Sequence, residues 1–207
     1  LFEFNDLITL PMNIPLEFVI GTFTYTFLPH LLISFPWEII FVTSSAKTSH
    51  DNDLSVILKI TNKPVSFEVF ADDIKNMIIQ GIKISKWGKN VYVKVPVTNS
   101  KGEFMGKVIK TLNKNNIKLN ITAVYTSQQT KKILKKINKK TKVIISIFAG
   151  RMADTGKDPL PQFIESIKIA KKFKNVEILW ASTREPYNYI QAKQIGCQII
   201  TVPPVII

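Results

Sequence analysis

The chain has 207 residues, of which 45% are hydrophobic and 21% charged, a composition typical of a globular protein with one large core. A single cysteine, Cys197, excludes a disulfide framework and a cysteine-rich zinc site, and it predicts a reducing, cytoplasmic location. The formal net charge of +13 is compatible with nucleic acid, anionic membranes or small anionic substrates. Because Lys, Asn, Ile and Phe are abundant together, a general compositional bias is the preferred explanation of the charge.

Residues 1–50 differ from the rest of the chain. They carry four acidic residues and one lysine among many aromatics and four prolines. Residues 18–42 have the length of a membrane span, but prolines, a histidine and a glutamate interrupt them, so we predict no membrane segment. We therefore divide the chain into an atypical hydrophobic segment at 1–50 and an α/β unit at 51–207. The abrupt change leads to the hypothesis that 1–50 is a foreign or frame-shifted stretch.

The part of the chain after residue 50 has a regular pattern. Runs of β-branched and aromatic residues predict six strands, at 65–70, 91–98, 117–124, 142–148, 176–182 and 198–202. Helices are predicted around them, at 51–61, 72–87 with Asp72 or Asp73 as cap, 102–115, the segment that Thr126 caps, 158–173 and 185–195. The alternation predicts right-handed βαβ units around a parallel sheet. No glycine-rich phosphate loop follows the first strand, which favours a (β/α)8 barrel over a dinucleotide-binding fold.

Lys94 lies within the predicted strand 91–98, on the face opposite four alternating valines. If helices cover both faces of the sheet, Lys94 points into an apolar interior, where a charge is costly unless it is paired. Burial there favours the neutral amine, which is a nucleophile that can form a Schiff base with a carbonyl substrate. The alternative is a surface lysine on an edge strand.

Polar residues recur at the carboxyl ends of the predicted strands. In chain order they are Ser66 and Glu68, Asn120 and Thr122, Ser146 followed by Phe148 and Arg151, and Ser182 followed by Arg184. In a barrel these ends meet at one rim, where reactive residues gather. Glu68 and Thr122 could hold a water that moves protons, and Arg151, Ser182 and Arg184 could bind a phosphate. The alternative for the arginines is a surface ion pair with Asp154 or Glu185.

The ordered motifs VSFEVFADD, WGKNVYVKVPVT, KLNITAVYT, ISIFAGRMADTGKDP, EILWASTREP and GCQIITVPP resemble the transaldolase family, including fructose-6-phosphate aldolase, over about residues 51–205. The resemblance implies a (β/α)8 barrel of class I aldolase type in which Lys94 forms the Schiff base and Glu68 and Thr122 position the catalytic water. It implies that Asn120, Phe148, Arg151, Ser182 and Arg184 bind substrate. It further implies sugar-phosphate substrates, a homo-oligomer, and neither metal, cofactor, nucleic acid nor membrane.

Two positions distinguish the branches of this family. The aldolase branch looks different from this chain at two places, where it carries Gln in place of Glu68 and Tyr in place of Phe148. Both differences lead us to expect transaldolase activity, as in the pentose phosphate pathway. Fructose-6-phosphate aldolase activity and a catalytically impaired remnant stay open as alternatives.

The beginning of the chain departs from the family pattern. The family's LDTA and TTNP motifs are missing. A remnant of the first could be Asp6, which is then a candidate for the acid/base aspartate, and a remnant of the second could be residues 42–45. We therefore expect atypical or incomplete first two strands, and a barrel that lacks the C-terminal helix. The lysine-rich stretch 131–142 is a candidate nucleic-acid site, but we expect it to form a solvated outer face.

Overall fold

The computed structural model describes residues 17–21, 39–43, 58, 61–203 and 206. Its strands are β1 (Glu17–Gly21), β2 (Ile39–Thr43), β3 (Val65–Glu68), β4 (Val91–Pro96), β5 (Leu119–Val124), β6 (Val143–Phe148), β7 (Val176–Ala181) and β8 (Ile199–Thr201). Each strand pairs in parallel with the next along the chain, and β8 pairs with β1, so the described strands close into a barrel. The predicted α/β class, parallel sheet and six strands after residue 50 are confirmed.

The described helices are α1 (Ile74–Ser85), α2 (Gly106–Lys114), α3 (Ser127–Leu134), α4 (Ala149–Ala153), α5 (Leu160–Ala170) and α6 (Tyr187–Gln194). Asp73 caps α1 by accepting a hydrogen bond from the backbone N–H of Asn76, and Thr126 caps α3 in a capping box with Gln129. The helix predicted at 102–115 begins later, because Gly102 has φ +76° in the turn before it. The short helix α4 was not predicted. Of the helix predicted at 51–61 only two residues are described: Leu58, which is helical, and Thr61, which is not.

Alternation along the strands produces an outer core and a barrel interior. The valines of β4 are buried against the helices together with Leu112 of α2. Residues of the opposite face, such as Tyr92, Ile144 and Leu179, form a second cluster inside the barrel. Because β4 is paired on both sides, by β3 and by β5, the edge-strand alternative for Lys94 is wrong.

A β-bulge interrupts β5 on its side toward β6. Ile121 pairs with Ile145 and Val124 pairs with Ile147, so Thr122 and Ala123 together oppose a single residue. Ala123 has φ +56°. Strict alternation would place Ala123 on the outer face with Leu119 and Ile121, but the extra residue shifts the register, and Val124 packs in the outer core instead.

Two strands lie within the first 50 residues. β1 pairs with β2 and β8, and β2 pairs with β3. Val42 and Thr43 belong to β2, whereas Asp6, Ser44 and Ser45 lie outside the described residues. No helix among the described residues is both long and apolar enough to cross a membrane.

Candidate functional site

Lys94 and Glu68 form an ion pair inside the barrel. The Nζ atom of Lys94 lies 3.1 Å from Oε2 of Glu68, and the side chains are 12% and 25% exposed. The pairing register between β3 and β4 places their Cα atoms directly opposite each other. Both polar groups therefore project from adjacent strands into the same interior space, as their strand positions predict.

A hydrogen-bonded chain of three buried side chains lies across the neighbouring strands. The Nδ2 atom of Asn120 donates to Oγ of Ser66 at 3.0 Å, and Oγ of Ser146 donates to Oδ1 of Asn120 at 2.6 Å. All three residues are at most 2% exposed. Since Asn120 is the pairing partner of Lys94 on β5, the chain fixes the amide beside the lysine. The nitrogen and the oxygen of the amide are thus each held by a hydroxyl group, one from β3 and one from β6.

Thr122 lies in the bulge of β5, opposite Pro96 of β4. Its Oγ1 atom is buried and has no hydrogen-bond partner among the described residues. An unpartnered buried hydroxyl is costly, and functional sites are one of the few places where it is retained. The bulge thus keeps a free donor and acceptor near the carboxyl ends of the strands.

The loop after β7 is held against α4 by a close backbone contact. A Cβ atom added at Gly150 would lie 1.8 Å from the carbonyl oxygen of Ser182, so only glycine fits there. Ser182 has φ +67°, a left-handed conformation that costs about 1 kcal/mol for a residue with a side chain. The contact brings the predicted phosphate-binding serine next to the turn that carries Arg151.

Arg184 is held by Asp154 across this rim. Its Nε atom donates to Oδ1 at 3.0 Å and its Nη2 atom to Oδ2 at 2.5 Å, while Nη1 donates to the carbonyl oxygen of Ser182 at 3.3 Å. The ion-pair alternative for Arg184 is therefore observed, with Asp154 as the partner and not Glu185. Hydrogen bonding by the guanidinium lowers the pKa of Asp154, and the same carboxylate raises the pKa of Arg184.

Arg151 and Phe148 lie at the same end of the barrel. Arg151 belongs to α4, is exposed and makes no ion pair among the described residues. It lines a cavity of about 350 Å³ with Tyr125 and Met152. The ring of Phe148 packs on the interior cluster and meets the Tyr125 ring edge-on, 5.8 Å between centroids. Seven of the eight predicted site residues thus lie in or beyond the carboxyl-terminal halves of their strands, with Lys94 and Glu68 in direct contact. The exception is Asn120, the second residue of β5.

Sequence reasoning listed Ser66 and Ser146 as polar strand residues but gave them no role, and their role is to hold Asn120. It named Asp154 only as one of two acidic candidates for an arginine partner. It missed Gly150, which acts through a contact with a loop about 30 residues away that no local pattern reveals. No cluster of metal-binding side chains exists among the described residues. Burial raises the pKa of the Cys197 thiol to about 12, so Lys94 has no competing thiolate.

Comparison with known proteins identifies relatives over most of the chain. A family model described as transaldolase/fructose-6-phosphate aldolase matches residues 44–207. A probable transaldolase of Nitrosopumilus maritimus is 34% identical over 78% of this chain and 70% of its own length. Another from Sulfurihydrogenibium sp. is 36% identical over 72% of this chain. This chain spans only 65% of that second relative, slightly less than two thirds.

Solved structures share the fold at low sequence identity. The structure of inosine 5′-monophosphate dehydrogenase from Legionella pneumophila covers 80% of this chain with a TM-score of 0.58 and 13% identity. A chimera of (S)-mandelate dehydrogenase covers the same share with a TM-score of 0.56 and 11% identity. At such identities the likeness concerns the fold alone.

Proposed function

Because the chain belongs to the transaldolase/fructose-6-phosphate aldolase family, we propose that it transfers a dihydroxyacetone unit from a ketose phosphate to an aldose phosphate. The observation that carries the proposal is the contact of 3.1 Å between the Lys94 amine and the Glu68 carboxylate inside the barrel. An amine with an adjacent proton acceptor in a largely buried space is the arrangement that imine chemistry requires.

The first half of the reaction makes a covalent bond to Lys94. Glu68 accepts a proton from the Lys94 ammonium, and the nitrogen lone pair attacks C2 of the ketose. The resulting carbinolamine loses its C2 hydroxyl as water, with the proton supplied through Glu68 and Thr122, which leaves an imine on Nζ. Thr122 suits this role because its buried hydroxyl has no partner among the described side chains.

Carbon–carbon cleavage follows from the imine. The C4 hydroxyl loses its proton, the C3–C4 bond breaks, and its electron pair moves into the protonated imine to form an enamine. The aldose phosphate departs, and the enamine attacks the carbonyl carbon of a second aldose phosphate in the reverse sequence. By resemblance the base for the C4 hydroxyl is an aspartate near the start of the chain; Asp6 is the candidate and lies outside the described residues. Asn120, fixed by two serines, orients the bound hydroxyls.

We assign phosphate binding to Arg151, Ser182 and Arg184 at the rim. Two guanidinium groups and a hydroxyl match the geometry and charge of a phosphate. Arg184 is already oriented by Asp154, so its fork is restrained before substrate arrives. This restraint lowers the entropy lost on binding.

Phe148 favours group transfer over simple aldol cleavage. A phenylalanine has no proton to give to the enamine, and its ring packs on the interior cluster and on Tyr125. Without a proton donor at this point, the enamine survives until an acceptor aldehyde arrives. Fructose-6-phosphate aldolase activity remains the second candidate, because the family includes both reactions.

We further propose that β1 and β2 serve as the first two strands of a (β/α)8 barrel of class I aldolase type, and that the enzyme needs no cofactor, works in the cytoplasm and assembles as a homo-oligomer. These finer points follow from the family resemblance together with the pairing of β1 to β8 and of β2 to β3.

Borohydride trapping tests the proposal. Incubation with fructose 6-phosphate and sodium borohydride should add one reduced ketose or dihydroxyacetone unit per chain, and peptide mapping should locate it at Lys94. Lys94→Arg keeps the charge but removes the nucleophile, so it should not be labelled. Absence of label at Lys94 contradicts the mechanism. A turnover assay with aldose phosphates of three to five carbons then separates an active enzyme from an impaired remnant, which would be labelled without turning over.

A further inference from the structure

The loops that precede the strands form a strongly basic end of the barrel. Five described loops connect a helix to the following strand, at residues 86–90, 115–118, 135–142, 171–175 and 195–198. They contain eleven lysines and no acidic residue: Lys86, Lys89, Lys118, Lys135, Lys136, Lys139, Lys140, Lys142, Lys171, Lys172 and Lys174. Because the strands are parallel, all five loops lie at the same end of the barrel, which we call the basic face. It is the end opposite Arg151 and Arg184.

The loops at the other end of the barrel contain more acidic than basic residues. The described segments between each strand and the next longer helix, at 69–73, 97–105, 125–126, 149–159 and 182–186, contain six acidic residues and four basic ones. The acidic residues are Asp72, Asp73, Glu103, Asp154, Asp158 and Glu185. Charge is therefore separated along the barrel axis, with the positive end away from the candidate active site.

Neither composition nor helix termini explain this separation. A general excess of lysine would enrich both sets of loops alike. Lysine is favoured in the last turn of a helix, but the effect ends within about one turn. Lys139, Lys140 and Lys142 follow the end of α3 at Leu134 by five or more residues, and Lys174 lies four residues beyond the end of α5.

The basic face is accessible and has a concave centre. Ten of its eleven lysines are exposed, and Lys118 is half-buried. The Lys118 Nζ atom donates to the carbonyl oxygen of Lys89 at 2.6 Å and lies 5.5 Å from the centre of the Tyr92 ring, so its charge is held in place. These residues line a cavity of about 440 Å³ with Asn62 and Asn90. The acidic residues at the amino-terminal ends of the described strands are Glu17 in β1 and Glu177 in β7, of which Glu177 is half-buried.

We propose that the basic face binds nucleic acid through its phosphates, without sequence preference. A dense array of cations matches a phosphodiester chain, whose binding is driven by counterion release. The described part of the face offers no exposed aromatic ring for base stacking, which predicts backbone contacts alone. An anionic membrane fits less well, because the exposed large hydrophobic residues, such as Phe70, Ile79 and Tyr187, all lie outside these five loops. The proposal departs from our expectation of a merely solvated lysine surface.

Fluorescence anisotropy with a labelled 20-nucleotide RNA at 50 to 200 mM salt tests this proposal. The wild-type chain should bind in the micromolar range, with affinity falling steeply as salt increases. A triple variant of the basic face, Lys135→Gln, Lys139→Gln and Lys172→Gln, should bind at least tenfold more weakly and show a shallower salt dependence, by about 0.7 per lost phosphate contact. The matched control carries Lys75→Gln, Lys101→Gln and Lys107→Gln, which remove three exposed lysines from the opposite end.

The control distinguishes a located surface from net charge. Equal weakening of both triple variants would overturn the proposal, because affinity would then follow total charge. Absence of wild-type binding at 50 mM salt would do the same. Binding to vesicles containing phosphatidylserine without binding to RNA would assign the face to a membrane surface instead, and would also reject the proposal. None of these measurements depends on enzyme turnover.

Discussion

Glu68 lies directly across from Lys94 in the β3–β4 register, and their charged ends meet at 3.1 Å. The contact has two consequences. The carboxylate holds the amine by a charged contact, and in the proposed mechanism it is also the group that removes a proton and releases the nucleophile. The pair is thus the proposed starting point of imine formation.

Glu68→Gln should separate these two consequences. The amide retains the size and a hydrogen-bonding oxygen but cannot accept the proton, so imine formation at neutral pH should slow by roughly 10²-fold to 10⁴-fold. The rate of borohydride-dependent labelling measures the step directly. Glu103→Gln, which removes an exposed carboxylate paired with Asn99, is the matched control and should label at the wild-type rate. Similar labelling of both variants would exclude Glu68 as the proton acceptor.

Ser66→Ala should weaken the substrate site through Asn120. The substitution leaves the Nδ2 group of a fully buried amide without its acceptor, which costs about 1 to 3 kcal/mol of unfolding free energy. It also frees the amide to rotate beside Lys94. Under conditions in which chemical denaturation shows the variant to be folded, kcat should therefore still fall. Ser85→Ala, which removes a half-buried hydroxyl bonded within α1, should cost less and leave kcat unchanged. A normal kcat in Ser66→Ala would show that Asn120 needs no such support.

The interior face of the barrel was largely predictable from the sequence. Alternation in β4 placed Lys94 opposite the valines, Thr126 was predicted as the cap of α3, and Asp73 was one of two candidate caps for α1. The bulge at Thr122 and Ala123 was not predictable, because a positive φ is usually marked by a glycine and this segment contains none. The sequence offered two acidic partners for Arg184, Asp154 and Glu185, and did not decide between them, since local sequence does not reveal which loop folds back toward which. Contacts between loops that are distant in the sequence therefore determine the partner of Arg184, which the strand pattern does not predict.

Asp154→Asn should weaken substrate binding more than chemistry. Loss of the carboxylate removes the charge that orients the Arg184 fork, so KM for the sugar phosphate should rise severalfold while kcat changes little. Asp158→Asn makes the same change in net charge in the same turn and serves as control. A KM equal to that of the control would mean that Arg184 is positioned by other contacts.

The same pair predicts the pH dependence of binding. The guanidinium lowers the pKa of Asp154 below its usual value of 3.8, so the pair is fully formed above that value and is lost as pH falls through the lowered pKa. KM should therefore show no titration from Asp154 between about pH 5 and pH 8. A carboxylate titration in KM within that range that disappears in Asp154→Asn would contradict the assignment.

Phe148→Tyr should shift the enzyme from transfer toward release of free dihydroxyacetone. The added hydroxyl supplies a proton donor at the end of β6, where the enamine is proposed to wait for its acceptor. The ratio of dihydroxyacetone to transferred product, measured at a fixed acceptor concentration, should increase by at least about tenfold, the effect of lowering one barrier by 1.4 kcal/mol. Tyr125→Phe removes a hydroxyl from the ring that contacts Phe148 and should leave the ratio unchanged. An unchanged ratio in Phe148→Tyr would remove the support that Phe148 gives to transaldolase over aldolase activity.

Gly150→Ala should damage folding and the proposed phosphate site together. The new Cβ would meet the Ser182 carbonyl oxygen at 1.8 Å, and because the obstacle is backbone, the β7–α6 loop must move. Overpacking of this kind costs at least about 2 kcal/mol, measurable by urea denaturation. Gly102→Ala is the control: its φ of +76° imposes conformational strain of about 1 kcal/mol, but no atom lies within 4 Å of the added carbon. If Gly150→Ala folds, KM should rise because Ser182 and Arg184 are displaced, whereas Gly102→Ala should keep the wild-type KM. Equal stability and KM in the two variants would show that the loop yields freely, and that its position does not determine phosphate binding.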